Sequence, residues 1–234
     1  MSRAVIRHRA DGRVCVNGRE IVMLGSNDYL GLSTDDRVLE ETSRTLRLYG
    51  TGTCLYPLFA TTPLHEALCQ GLAAFLGTEA AMLFSSGSAA NSGVLATLVG
   101  EGDVIVSDQL NHASIIDGCR LSRAKVIAYR NRDSVDLRAK LEQTRSAKHR
   151  LVVTDGIFSM EGGAAPLREI YALAREFDTI LMIDESHATG VVGPDGKGTG
   201  PLLGLAHCGS RASTTNRVVL LLSSSTSCAR ISRP

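Results

Sequence analysis

The sequence predicts an α/β protein built on a mostly parallel β-sheet with helices on both faces. Three observations point there. Between residues 50 and 199 short apolar runs alternate with segments of helical periodicity, the order produced when crossover helices join parallel strands. The runs are continuously apolar, as strands buried on both faces are. The chain of 234 residues, 44% hydrophobic and 21% charged with 23 glycines and 6 prolines, has enough apolar mass for a large core and enough glycine for many tight turns.

Taken in order, residues 1–49 form a polar, charged N-terminal segment with one turn-like stretch, Gly25-Ser26-Asn27-Asp28-Tyr29-Leu30-Gly31-Leu32. Residues 50–199 form the α/β domain. Its candidate strands are Ala80–Phe84, Val104–Val106, Val126–Tyr129, Leu151–Thr154 and Ile180–Ile183. Helical spacing falls over Leu64–Leu76, Ala89–Val99, Ser134–Thr144 and Leu167–Phe177. In the last, Leu167, Ile170, Leu173, Ala174 and Phe177 share one face, and Pro166 suits the start of the helix. Residues 200–234 change character: seven serines and four arginines with no acid. No strand is assigned there.

The balance of 25 basic and 24 acidic side chains gives a net charge of +1, which provides no bulk field for nucleic acid or an anionic membrane. Val218–Leu222 is too short to span a bilayer, and the first residues lack the apolar stretch of a secretory signal. The six cysteines form no CxxC pair and read as reduced thiols, so a cytoplasmic location is expected.

Ligands of such sheets bind beyond the carboxyl ends of the strands, and four candidate strands run into polar stretches there. Ala80–Phe84 leads into Ser85-Ser86-Gly87-Ser88, whose backbone amides at a helix start could cradle a phosphate or simply form a capped turn. Val104–Val106 leads to Asn111-His112, a loop histidine able to stack on a flat ligand or to be satisfied by backbone. Leu151–Thr154 leads to Asp155 and Ser159, the latter a rim hydroxyl or a turn serine. Ile180–Ile183 leads to Asp184-Glu185-Ser186-His187. An ionised Asp184 at the end of an apolar strand loses hydration and requires a partner: a metal, a buried arginine or a protonated ring nitrogen. His187 can reach the same place if the chain turns sharply.

In order, Asn27–Leu32, Leu83–Asn91, Ser107–Ala124, Thr154–Gly162 and Asp184–Thr199 resemble the α-oxoamine synthases, pyridoxal-phosphate enzymes of fold type I. The resemblance covers about residues 20–199 and implies the large cofactor-binding domain of that fold, incomplete at its C-terminus. It implies pyridoxal 5′-phosphate as cofactor, with Gly87 and Ser88 helping to place it. His112 would stack on the pyridine face, Ser159 would contact the cofactor, and His187 would hydrogen-bond its phenolic oxygen. Asp184 would pair with the ring nitrogen. His112, Asp184 and His187 are thus the implied catalytic residues, while Asn27 and Tyr29 would lie near the substrate entrance. No metal is implied.

The implied reaction joins an amino acid to an acyl-CoA or acyl-carrier-protein thioester with loss of carbon dioxide, in a homodimer. Ser107–Ser122 is most similar to the branch that joins L-alanine to a pimeloyl thioester in biotin synthesis. The branch joining glycine to acetyl-CoA shares much of that stretch. The family's Schiff-base lysine, needed to hold the cofactor, is expected a few dozen residues after Asp184-Glu185-Ser186-His187. Here the last lysine is Lys197. Residues 200–234 therefore read as a non-family ending on a truncated chain, which raises a non-catalytic remnant as a rival. Gly50–Ala60 keeps the family's opening Gly-Thr-Gly but not its later arginine and glycine.

A P-loop NTPase is another rival, because Asp184-Glu185 after an apolar strand mimics a magnesium-binding motif. Its phosphate loop would have to precede that strand, whereas Gly196-Lys197-Gly198-Thr199 follows it. A zinc hydrolase using His112, Asp155, Asp184 and His187 lacks the helical spacing of a ligand pair.

Overall fold

The computed structural model describes residues 6–10, 12–52, 59–200, 218–222 and 227–229. Most of the 200–234 segment and the centre of Gly50–Ala60 lie outside the described residues. Two compact units divide the chain, Met1–Thr61 and Thr62–Pro234.

The first unit holds an antiparallel three-stranded sheet, β1 (Ile6–Ala10), β2 (Arg13–Val16) and β3 (Arg19–Val22), followed by α1 (Asp36–Tyr49). Asn17 (φ 51°) and Gly18 (φ 74°) join β2 to β3. Both accept the left-handed conformation that a two-residue hairpin turn demands, and Val16 pairs with Arg19 across it. Asp35 caps α1 by accepting from the Arg37 N–H.

The second unit carries a seven-stranded sheet. Its strands are β4 (Met82–Phe84), β5 (Val104–Asp108), β6 (Lys125–Tyr129), β7 (Arg150–Asp155), β8 (Ile180–Asp184), β9 (Val218–Leu222) and β10 (Ser227–Ala229), in the order β4-β10-β9-β8-β7-β5-β6. The run β9-β8-β7-β5-β6 is parallel, and β10 pairs antiparallel with both β9 and β4. The expected mostly parallel sheet is present.

Successive side chains of a strand point to opposite faces, and the core divides accordingly. Val104, Val106, Val152, Leu181, Ile183, Val218 and Leu220 pack against α5 (Ser134–Gln143) and α6 (Leu167–Glu176). Ile105, Leu151, Val153, Met182 and Val219 pack against α3 (Gly87–Leu98) and α4 (Ala113–Leu121). Helices therefore cover both faces. Thr62 opens α2 (Pro63–Leu76) by accepting from the His65 N–H, with Pro63 in the first turn. Among the described residues no helix is long and apolar enough to cross a membrane.

Two elements correct the sequence reading. Val218–Leu222, read there only as too short for a membrane span, is β9. A short wholly apolar run is what a strand buried on both faces looks like. Residues 113–121, given no element there, form α4. Ile115, Ile116 and Gly118 are poor helix formers, but Ile115 and Cys119 are buried against the sheet and stabilise the helix through packing.

Gly118 sets how closely α4 approaches α3. A Cβ there would lie 2.9 Å from the backbone oxygen of Asn91 and 2.9 Å from Leu95 Cδ1. Gly118→Ala therefore forces the two helices apart at a site with no free space. It is expected to cost about 1–3 kcal/mol and to lower the thermal midpoint by several degrees. An unchanged melt would contradict this packing.

Candidate functional site

Strands β5, β7 and β8 all end in aspartate, at Asp108, Asp155 and Asp184, and all three side chains are buried. The register sets Asp155 directly beside Asp184. Asp184 Oδ1 accepts from the Ser186 N–H at 2.9 Å and from the Ser186 hydroxyl. Its Oδ2 accepts from Asn91 Nδ2 at 2.9 Å. None of the ion pairs among the described residues involves Asp184 or Asp155. Among the described residues no cation pairs with these two neighbouring buried acids, and burying an unpaired charge is costly.

Asp155 shows the strain electrostatically. Burial first, and then the charge of Asp184, push its carboxyl up to about 7, against the opposing hydrogen bond from the His112 N–H. Glu185, 1% exposed, is also pushed up to about 7, mainly by burial and further by Asp184, while the Thr199 N–H opposes the shift. Glu185 accepts from that N–H at 2.8 Å and from the Thr199 hydroxyl. These bonds tie the far end of the loop after β8 back to the strand end.

His112 is held where β5 passes into α4. Its backbone N–H donates to Asp155 Oδ2 at 2.8 Å. Its Nδ1 accepts from the Ser114 N–H at 3.2 Å and lies 2.7 Å from Ser114 Oγ, so the imidazole itself caps α4. The loop beneath it is fixed by Asn111, which donates to Ser107 Oγ and the Val153 carbonyl and accepts from the Asp155 N–H, each at 2.9 Å. The ring of His112 remains exposed.

The other expected residues fall as follows. Gly87 and Ser88 form the first turn of α3, after Ser86, whose hydroxyl accepts from the Ala89 N–H at 3.1 Å. Their own N–H groups precede the helical ladder, as at any helix start. Ser159 is exposed in the turn after β7, which is closed by the Gly162 N–H on the Phe158 carbonyl at 2.8 Å. His187 is half-buried in the turn after Asp184, where the Ala188 and Thr189 N–H groups both donate to the Glu185 carbonyl at 3.0 Å. Asn27 and Tyr29 belong to the first unit. Both are exposed, and the Tyr29 hydroxyl donates to Asn27 Oδ1 at 3.5 Å.

Hydrogen bonds thus tie Asp184 and His112 into one network. Its connecting members, Asn91 and Ser114, lie within the sequence motifs and were given no role there, as was Asn111 below them. A signal existed for Asn91: it falls on the same helical stripe as buried Val94 and Leu95, and a buried amide needs partners. Among the described residues no group of three histidine, cysteine, aspartate or glutamate side chains is placed to hold a metal ion.

The model of the family named aminotransferase class I and II matches residues 19–229, and the chain belongs to that family. It is 49% identical over 194 residues to the 8-amino-7-oxononanoate synthase of Geobacter metallireducens, a match covering 82% of this chain and 50% of the relative. It is 45% identical over 206 residues to the enzyme of the same name from Geotalea daltonii, covering 87% and 52%. The chain therefore spans about half the length of the known relatives it matches.

Its fold superposes on the serine palmitoyltransferase of Sphingomonas wittichii with a TM-score of 0.90 at 30% identity, over 99% of this chain and 58% of that one. A serine palmitoyltransferase from S. paucimobilis, solved with a bound PLP-myriocin aldimine, gives 0.89 at 30% identity over the same shares. The α/β fold of type I is thereby established, and the match runs past residue 199 into β9 and β10.

A buried acid whose folded-state pKa is raised stabilises the protein below its unfolded value and loses that contribution as pH rises through the folded value. For Glu185 the window runs from its ordinary 4.5 up to about 7. Glu185→Gln keeps an acceptor for the Thr199 N–H and removes the titration. The variant is expected to lose part of the fall in thermal midpoint across that window and to melt a few degrees above the parent at pH 8. Parallel pH profiles for the two proteins would contradict the burial argument.

Proposed function

We propose that this chain carries the cofactor-gripping part of a pyridoxal-phosphate-dependent acyltransferase with 8-amino-7-oxononanoate synthase activity, condensing L-alanine with a pimeloyl thioester. One observation carries the reading: Asp184 is a buried carboxylate beside a second buried acid, and no cation among the described residues pairs with it. A protonated pyridine nitrogen is the cation such a place suits, and relatives 49% and 45% identical to this chain are named for this activity.

In that reading Asp184 would hold a proton on the ring nitrogen. His112, fixed by Asp155 and Ser114, would stack on the ring, and His187 would donate to the phenolic oxygen. The first-turn N–H groups of α3 at Gly87 and Ser88 would donate to the phosphate, and Ser159 would supply a hydroxyl at the rim. When bound, the cofactor supplies an electron sink for the bond broken at the amino acid's α-carbon. Asn27 and Tyr29 are proposed to meet the substrate.

The working form is proposed to be a cytoplasmic homodimer. Cys15, Cys69 and Cys119 are free thiols, and Leu64, Leu68 and Phe75 on α2 are exposed apolar surface for a second copy to cover.

Cofactor binding is the property to test on these residues. Fluorescence titration with pyridoxal 5′-phosphate is expected to saturate, and borohydride is expected to trap no imine at a Schiff-base lysine of the site, as distinct from incidental labelling of Lys125, Lys140, Lys148 or Lys197. Asp184→Asn, which keeps the shape and removes the charge, is expected to weaken binding by about tenfold or more. Equal affinity of parent and variant, or no binding by the parent, would overturn the reading. So would a preference for Mg-ATP.

A further inference from the structure

We infer that Asn91 is a positioning residue: its side-chain amide locks the Asp184 carboxylate and the His112 ring into one fixed arrangement, through Ser114. Asn91 is 1% exposed and lies one turn into α3. One Nδ2 hydrogen goes to Asp184 Oδ2 at 2.9 Å and the other to Ser114 Oγ at 2.8 Å. With its oxygen accepting from Asn91, the Ser114 hydroxyl has its own hydrogen free to donate to His112 Nδ1, 2.7 Å away. The Ser114 N–H donates to the same nitrogen, so in the neutral ring Nδ1 accepts and Nε2 carries the hydrogen.

The amide can sit only one way round. Reversed, its oxygen would face a carboxylate oxygen, and both donors would be lost. In the observed orientation Asn91 Oδ1 is left buried without a partner. A side chain placed for stability would not leave that acceptor unsatisfied. Holding two acceptors at once accounts for it. The close approach of α3 and α4 at Gly118 lets the amide reach both.

For cofactor binding the inference rests on the function proposed above, and its effect on His112 does not. The test is nitrogen NMR of the histidine rings in the ¹⁵N-labelled chain, with His112 assigned by loss of its signals in His112→Gln. The parent is expected to show an accepting Nδ1 and a protonated Nε2. In Asn91→Ala the two signals should move toward the averaged position of exchanging tautomers. Val94→Ala, one turn along the same helix, should destabilise the fold without moving them. Ser114→Ala breaks the same connection from its other end by removing only a hydroxyl, and should shift Nδ1 in a folded chain even if Asn91→Ala does not fold.

Affinity for pyridoxal 5′-phosphate should fall about tenfold in Asn91→Ala and less in Ser114→Ala, which keeps the bond to Asp184. The inference is overturned if Asn91→Ala moves the His112 signals no more than Val94→Ala does, or if Ser114→Ala leaves them in place. If the parent chain fails to bind the cofactor, the function reading fails alone, and the ring signals still decide the role of Asn91.

Discussion

A carboxylate taken out of water at the end of a parallel strand has to be compensated, and the upper edge of this sheet is organised around that requirement. Asp184 cannot retreat from its position, because β8 pairs in register with β7 on one side and β9 on the other. Its oxygens take the Ser186 N–H and hydroxyl and the Asn91 amide. Neutral donors lower the cost of an isolated buried charge but do not cancel it. Burial first, and then the charge of Asp184, raise the carboxyl of the neighbouring Asp155. Buried acids of this kind favour a cationic, hydrogen-bonding partner.

The fold supplies the geometry by ordinary means. Parallel pairing brings the carboxyl ends of β5, β7 and β8 to one edge. The helices α3 and α4, which follow β4 and β5, begin with free N–H groups and capping side chains. Here one cap is also a candidate site residue, His112 on α4, and another, Ser86, opens α3 beside Gly87 and Ser88. The same local bonds that start the helices therefore orient the candidate site residue His112. Below them, Asn111 stitches β5 to β7 and Glu185 anchors the loop returning at Thr199.

Much of this was legible in the residues. The strands ending at Asp155 and Asp184 and the helices over Pro63–Leu76 and Leu167–Glu176 follow from apolar runs and helical spacing. The hairpin at Asn17-Gly18 carried a clear turn signal in the sequence but was not assigned, because its flanking strands are charged and short. α4 escaped notice because β-branched residues and a glycine mask a helix that packing stabilises. β9 was hidden in a segment whose composition differs from the rest. At the site, Asp184 and His112 could be picked out by type and place. The amides between them could not, since a buried asparagine on an otherwise small-residue helix reveals its partners only when 93 residues of separation along the chain close up in space.

The most direct measurement is the protonation state of the cofactor's ring nitrogen, read by NMR of the chain bound to pyridoxal 5′-phosphate labelled with ¹⁵N in the ring. The account predicts a pyridinium signal that persists at alkaline pH, where the free cofactor has given up that proton. A neutral-pyridine signal in the bound state, titrating as it does in free solution, would contradict it.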